Sequence, residues 1–284
     1  MQILFRNREG RLRAVWEIMA VVAAIITLMA VVSFGLSLRV GSRGLFDPDG
    51  WVRVFKSTGL YSFAVVCFTV KVIHKRPLSD IGLSRPDGKQ FAAGFAGGAL
   101  LLTSIVLVLW GMGNASFHSE WLRPSFGGLD AADIVVTVLL AGICEEVLFR
   151  GYLQHLLSSR IGVPAAVGIT SILFSLAHAA NPGYSWISAL NIMIIALIFS
   201  QVTLRTGKLY AAIALHLSWN LFQGYIYGVA VSGNTPRGLY SVSLSGNELL
   251  TGGEFGLEGS LVTTLILIIL SAALLLIARN PKSR

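Results

Sequence analysis

The stretch "LLAGICEEVLFRGYLQ", residues 139–154, sets two glutamates and an arginine inside a run that otherwise reads as an apolar helix. The fold turns on whether that helix lies in lipid, where a charged side chain is costly and needs a partner or a water-filled cavity. Composition places it there. Of the 284 residues, 54% are hydrophobic and only 13% charged, with a mean hydropathy of +0.72, whereas soluble domains carry about 25% charged residues.

A bilayer core about 30 Å thick takes roughly 20 helical residues to cross. Segments near 14–38, 54–73, 90–111, 132–155, 163–180, 185–204, 209–229 and 259–278 reach or approach that length. The expectation is an all-α fold, a polytopic membrane helix bundle of about eight transmembrane helices. The first segment is read as a span and not a signal peptide, because its apolar run exceeds a signal core and no small-residue cleavage site follows it.

Lysine and arginine mark the cytoplasmic loops of membrane proteins. Arg6, Arg8, Arg11 and Arg13 precede the first span, and Lys75, Arg76, Arg85 and Lys89 lie between the second and third. Arg205 and Lys208 separate the sixth and seventh, and Arg279, Lys282 and Arg284 follow the last. All of these fall on one side, which predicts a multi-pass protein of the cell (inner) membrane with both termini in the cytoplasm. The opposite loops carry Glu120, Asp130, Glu248, Glu254 and Glu258, although the loop 39–56 holds Arg39, Arg43, Arg53 and Lys56 against the trend. The net charge of +8 thus reflects topology and contact with anionic lipid. It does not imply nucleic-acid binding, since neither a basic domain nor an aromatic platform is present.

Three parts follow along the chain: an N-terminal transmembrane region with a polar connector (1–129), a region rich in intramembrane polar residues (130–228), and a loop with a C-terminal anchor helix (229–284). In the first part Gly94 and Gly98 have the GxxxG spacing of close helix packing. The second part holds Glu145, Glu146, Arg150, His178, Asn191, His216 and Asn220. Helical residues four apart share a face while neighbours diverge, so Glu146 and Arg150 can neutralise each other and Glu145 is left without a local cation. That isolation suits a general base. His178 closes the helical stretch "FSLAH", and His216 and Asn220, four apart, can donate toward one point, as an oxyanion hole requires. Base, histidine and donor pair together are what amide hydrolysis needs.

The ordered triple "EEVLFR", "FSLAH" and "HLSWN" resembles the EExxxR, FxxxH and HxxxN motifs of the CPBP intramembrane proteases, a group that includes the type II CAAX prenyl endopeptidases and bacteriocin self-immunity proteins. The resemblance covers about residues 130–228. It implies that Glu145 and His178 activate a water, that His216 and Asn220 stabilise the oxyanion, and that Glu146 and Arg150 organise the site. It also implies a helical bundle around a conical cavity and a membrane-anchored or lipidated peptide or protein as substrate.

Zinc is admissible on Glu145, His178 and His216, since catalytic zinc takes three protein ligands, but HExxH is absent and a glutamate protease without metal or other cofactor is the favoured expectation. The cut would fall in the cytosolic, membrane-proximal part of the substrate. A non-catalytic membrane adaptor or immunity protein is the alternative, and a proton carrier using Glu145 a more distant one. The oligomeric state and the natural substrate are not readable from the chain. Cys67 and Cys144 read as small buried thiols. Adjacent helical residues point apart, so Glu145 is poorly placed to activate Cys144, and Cys144→Ser is expected to leave peptide cleavage at the wild-type rate.

Overall fold

Apolar runs form helices here because a helix satisfies every backbone N–H and C=O internally, the condition for life in hydrocarbon. The computed structural model describes residues 13–40, 57–118, 124–126 and 129–279. Arg6, Arg8, Arg11, Arg43, Arg53, Lys56, Glu120, Lys282 and Arg284 of the charge pattern lie outside the described residues. The helices are α1 (Ala14–Val40), α2 (Thr58–Ile73), α3 (Gly88–Gly111), α4 (131–161), α5 (Val163–Leu176), α6 (Trp186–Thr206), α7 (210–226) and α8 (Leu261–Arg279). A short antiparallel ribbon pairs β1 (Ala115–His118) with β2 (Ser241–Leu244).

The result is an all-α bundle capped at one end by that ribbon. By length and composition Ala14–Gly35, Gly88–Gly111 and Trp186–Thr206 can cross a membrane, and Thr58–Ile73, Val163–Leu176 and Leu261–Ile277 are shorter apolar helices. Helix α5 stops earlier than the apolar run suggested, because Asn181, Pro182 and Gly183 turn the chain. Large apolar side chains such as Phe34, Leu100, Trp110, Ile269 and Leu276 face outward, as lipid contact demands.

Helix starts follow local chemistry. The Asp130 carboxylate accepts from the Ala132 and Asp133 N–H groups to begin α4, and Ser185 with Ser188 forms a capping box on α6. Helix α4 is not a plain α-helix: Val135–Glu145 and Val147–Leu153 have π geometry, a rare widening that often marks functional segments. Glu146 and Arg150 nonetheless remain within reach of one another, at 3.1 Å.

Helix α7 is the axis of the bundle, with every residue from Ala211 to Asn220 buried. Helix α3 lies directly against it because Gly94 and Gly98 present no side chain. A Cβ on Gly94 would fall 2.1 Å from the Ala211 carbonyl oxygen, and one on Gly98 would fall 2.4 Å from that of Leu215. Two apolar clusters flank this axis, one centred on Val66, Val147, Phe149 and Tyr152 and the other on Leu102, Ile198, Ala212 and Leu267. Between them sit the polar residues of the second and third motifs.

The two ends of the bundle differ in charge. At one end the Glu17 carboxylate accepts from the Tyr152 hydroxyl and lies 2.9 Å from His74 Nε2, while Lys208 Nζ is 3.2 Å from Asp87 Oδ2. The Gln90 N–H and then Lys208 hold the half-buried Asp87 carboxyl below its ordinary range. Arg13, Lys71, Lys75, Arg76, Arg85, Lys89, Arg160 and Arg205 belong to the same end by their helix positions. The ribbon end instead carries Asp130, Asp133, Glu248, Glu254 and Glu258, with Arg39 at the end of α1 and Arg237 as cations among the described residues.

Gly94→Ala is expected to destabilise the protein by about 1–3 kcal/mol, the usual cost of overpacking. Gly97→Ala, where a Cβ meets nothing within 4 Å, should not, and thermal unfolding in detergent separates the two.

Candidate active site

The first motif lies on α4, whose widened turns bring Glu146 and Arg150 to the centre of the bundle with 0% and 3% exposure. Arg150 Nη1 donates to Glu146 Oε1 at 3.1 Å, and His216 Nδ1 on α7 donates to the same oxygen at 3.1 Å. Glu146 is therefore more than the counter-ion of Arg150, because it also orients the third-motif histidine. The guanidinium stacks on the Phe174 ring at 4.2 Å and the Phe199 ring at 5.1 Å, contacts that stabilise a desolvated cation. Phe199 also stacks on His216, with ring centroids 5.0 Å apart. Phe174 of the second motif thus seats the arginine of the first.

Four residues past Phe174, His178 follows the C-terminal turn of α5. Its Nδ1 lies 2.9 Å from the Phe174 carbonyl oxygen. A carbonyl only accepts, so Nδ1 carries the hydrogen and Nε2 of the neutral ring keeps a lone pair. Glu145 points away from Glu146 and has a buried Oε2 with no hydrogen-bond partner. Buried carboxylate oxygens are seldom left so unless water or a ligand is to meet them.

Glu145, His178, His216 and Asn220 line one cavity of about 240 Å³. Its floor is apolar and closed, made by Phe174 and Phe199 beside His216. Asn220 Nδ2 donates one hydrogen to the Thr137 carbonyl oxygen of α4 at 2.8 Å, which ties α7 to the π segment and leaves the second amide hydrogen uncommitted. His216 differs from the simple donor expected from the sequence: with Nδ1–H spent on Glu146, its Nε2 can donate only when the ring is doubly protonated.

Glu258 was not among the residues expected in the site. It comes from the turn Leu257–Gly259 ahead of α8, yet its carboxylate lines the cavity. Oε1 accepts from the Trp219 indole N–H at 3.2 Å, and Oε2 from the Ser232 N–H at 2.6 Å and its hydroxyl at 2.9 Å. Burial pushes this carboxyl above its ordinary range, with the Ser232 hydroxyl pulling the other way. Ser232 has φ +46°, a left-handed conformation uncommon outside glycine and found where surroundings hold it. Its carbonyl accepts from Asn181 Nδ2 at 2.9 Å. Asn191, noted in the sequence as an intramembrane polar residue, fastens this segment by donating to the Glu258 and Ser260 carbonyl oxygens.

Among the described residues no three His, Cys, Asp or Glu side chains converge as a metal would require, and His216 Nδ1 is already engaged by Glu146.

Removing one partner of a buried ion pair typically costs about 3–5 kcal/mol, whereas removing both with apolar replacements costs far less. Glu146→Leu and Arg150→Met are each expected to lower the unfolding temperature sharply, with the double variant recovering much of the loss. Cleavage should remain abolished in the double variant, because His216 has lost its partner.

Comparison with known proteins bears on this segment. No curated protein matches the chain. Residues 127–222, which contain all three motifs and the helices that carry them, match the family model described as type II CAAX prenyl endopeptidase Rce1-like. The part of the chain that builds the Glu146–Arg150–His216 centre, about a third of its length, is thus similar to Rce1-like type II CAAX prenyl endopeptidases.

Proposed function

We propose that the protein is an intramembrane endopeptidase that hydrolyses a peptide bond in a membrane-anchored or lipidated protein or peptide, using a glutamate and a histidine to activate water. The observation that carries this reading is the pairing, in one cavity, of Glu145 with an unpartnered buried oxygen and His178 with a free Nε2. A water between these groups can pass a proton to one of them as it attacks the scissile carbonyl. The new C–O bond places negative charge on the carbonyl oxygen. The spare Asn220 hydrogen and, in its imidazolium form, His216 Nε2–H can receive that charge. Collapse breaks the C–N bond, and the proton held by Glu145 or His178 leaves with the amine.

Glu146 and Arg150 are positioning residues in this scheme, acting through His216. Residues 130–228 form the catalytic part, 1–129 and 229–284 enclose it, and the eight helices cross the membrane with both chain termini in the cytoplasm. No step passes through a metal or other cofactor. The substrate is a protein or peptide held in the same bilayer.

Glu145→Gln is expected to reduce cleavage of a membrane-anchored peptide library by about 10²–10⁴-fold, the usual worth of a general base, at unchanged detergent stability. Undiminished cleavage would sink the proposal and leave a peptide-binding adaptor or immunity protein. Asn220→Ala is expected to lower the rate by about 10²–10³-fold, and a chelator should leave the wild-type rate unchanged.

A further inference from the structure

The cavity is closed toward one end of the bundle and open toward the other. Beneath its floor toward the cationic end lie Glu146, Arg150, Phe149, Tyr152 and Leu153, all buried. Its upper rim is formed by Thr58 at the start of α2, Asn181 after α5, and Ser232 and Asn234 in the turn after α7. Thr58 and Asn234 are exposed, and Asn181 and Ser232 half-buried. Exposure therefore rises in the direction of the ribbon end.

A second recess of about 410 Å³, lined by Asp130, Asp133, Tyr225 and Arg237, shares Thr137 and Asn234 with the cavity. It continues the path outward at the same end. The Tyr225 hydroxyl donates to Asp133 Oδ2 at 2.8 Å and forms one side of this passage.

The charge pattern assigns the ends. Most basic residues fall at the end that holds the Glu17–His74–Arg160 and Asp87–Lys208 contacts, against Arg39 and Arg237 among the described residues at the mouth end, where Asp130, Asp133, Glu248, Glu254 and Glu258 lie. Membrane proteins keep Lys and Arg on the cytoplasmic side. We infer that the active-site cavity opens on the extracytoplasmic face, and that the bond it cuts lies in the extracytoplasmic, membrane-proximal segment of a membrane-anchored protein. This reverses the cytosolic cut expected from the sequence, and its second half rests on the endopeptidase reading above.

Two measurements test it on the full-length protein in bacterial membranes. With Cys67 and Cys144 replaced by alanine, Asn234→Cys at the mouth and Ser159→Cys at the other end are each probed with a membrane-impermeant maleimide. In right-side-out spheroplasts, Asn234→Cys should label and Ser159→Cys should not, and inverted vesicles should give the opposite pattern. Labelling of Ser159→Cys alone in spheroplasts, or of both sites in both preparations, overturns the inference.

For the second measurement, two single-span reporters carry the same juxtamembrane peptide library on the outer or the inner side of the membrane. Loss of the outer-side reporter, dependent on Glu145, is the expected result, and cleavage of the inner-side reporter alone overturns the inference. If neither reporter is cut, it is the endopeptidase reading that fails, while maleimide labelling still decides where the cavity opens.

Discussion

Glu146 Oε1 accepts from Arg150 on its own helix and from His216, 70 positions along the chain. In a medium with little water, neither the carboxylate nor the guanidinium tolerates isolation, so the helices that carry them are held to one arrangement. Phe174 and Phe199 supply the remaining stabilisation through their ring faces. Four helices, α4, α5, α6 and α7, meet at this point, and Glu145, His178 and Asn220 line the cavity beside it. The charges buried by the EExxxR motif thus specify geometry first and chemistry second.

That dependence explains how far the sequence could be read. The apolar runs were sufficient for an all-helical membrane bundle, and the polar residues among them, Glu145, His178, His216 and Asn220, line one cavity. Spacing of four linked Glu146 to Arg150, and Gly94 to Gly98 foretold a close helix contact, because both rest on local helical geometry. Depth along each helix was harder. His178 after α5 and His216 on α7 line one cavity, although no local spacing relates their depths.

Other contributors were invisible for a different reason. Phe199 reads as one more apolar residue of α6, and nothing local distinguishes a ring under an arginine from a ring under a leucine. Glu258 reads as a loop acid. Its role depends on a turn 26 positions earlier, at Ser232, and on an indole 39 positions away, at Trp219. Partnerships of that kind belong to the tertiary fold and leave no periodic trace. The shared use of Glu146 by His216 belongs with them, although two intramembrane polar residues on separate helices were a fair hint.

The segment from Val229 to Ser260 lies beyond the family-matched residues yet supplies Ser232, Asn234 and Glu258 to the cavity wall. In the proposed endopeptidase, Glu145, His178, His216 and Asn220 and part of the cavity wall are therefore encoded in adjacent but separate stretches of the chain. On that reading, changes in the second stretch would alter the cavity wall at Ser232, Asn234 and Glu258 while the four groups assigned to the chemistry stay in place.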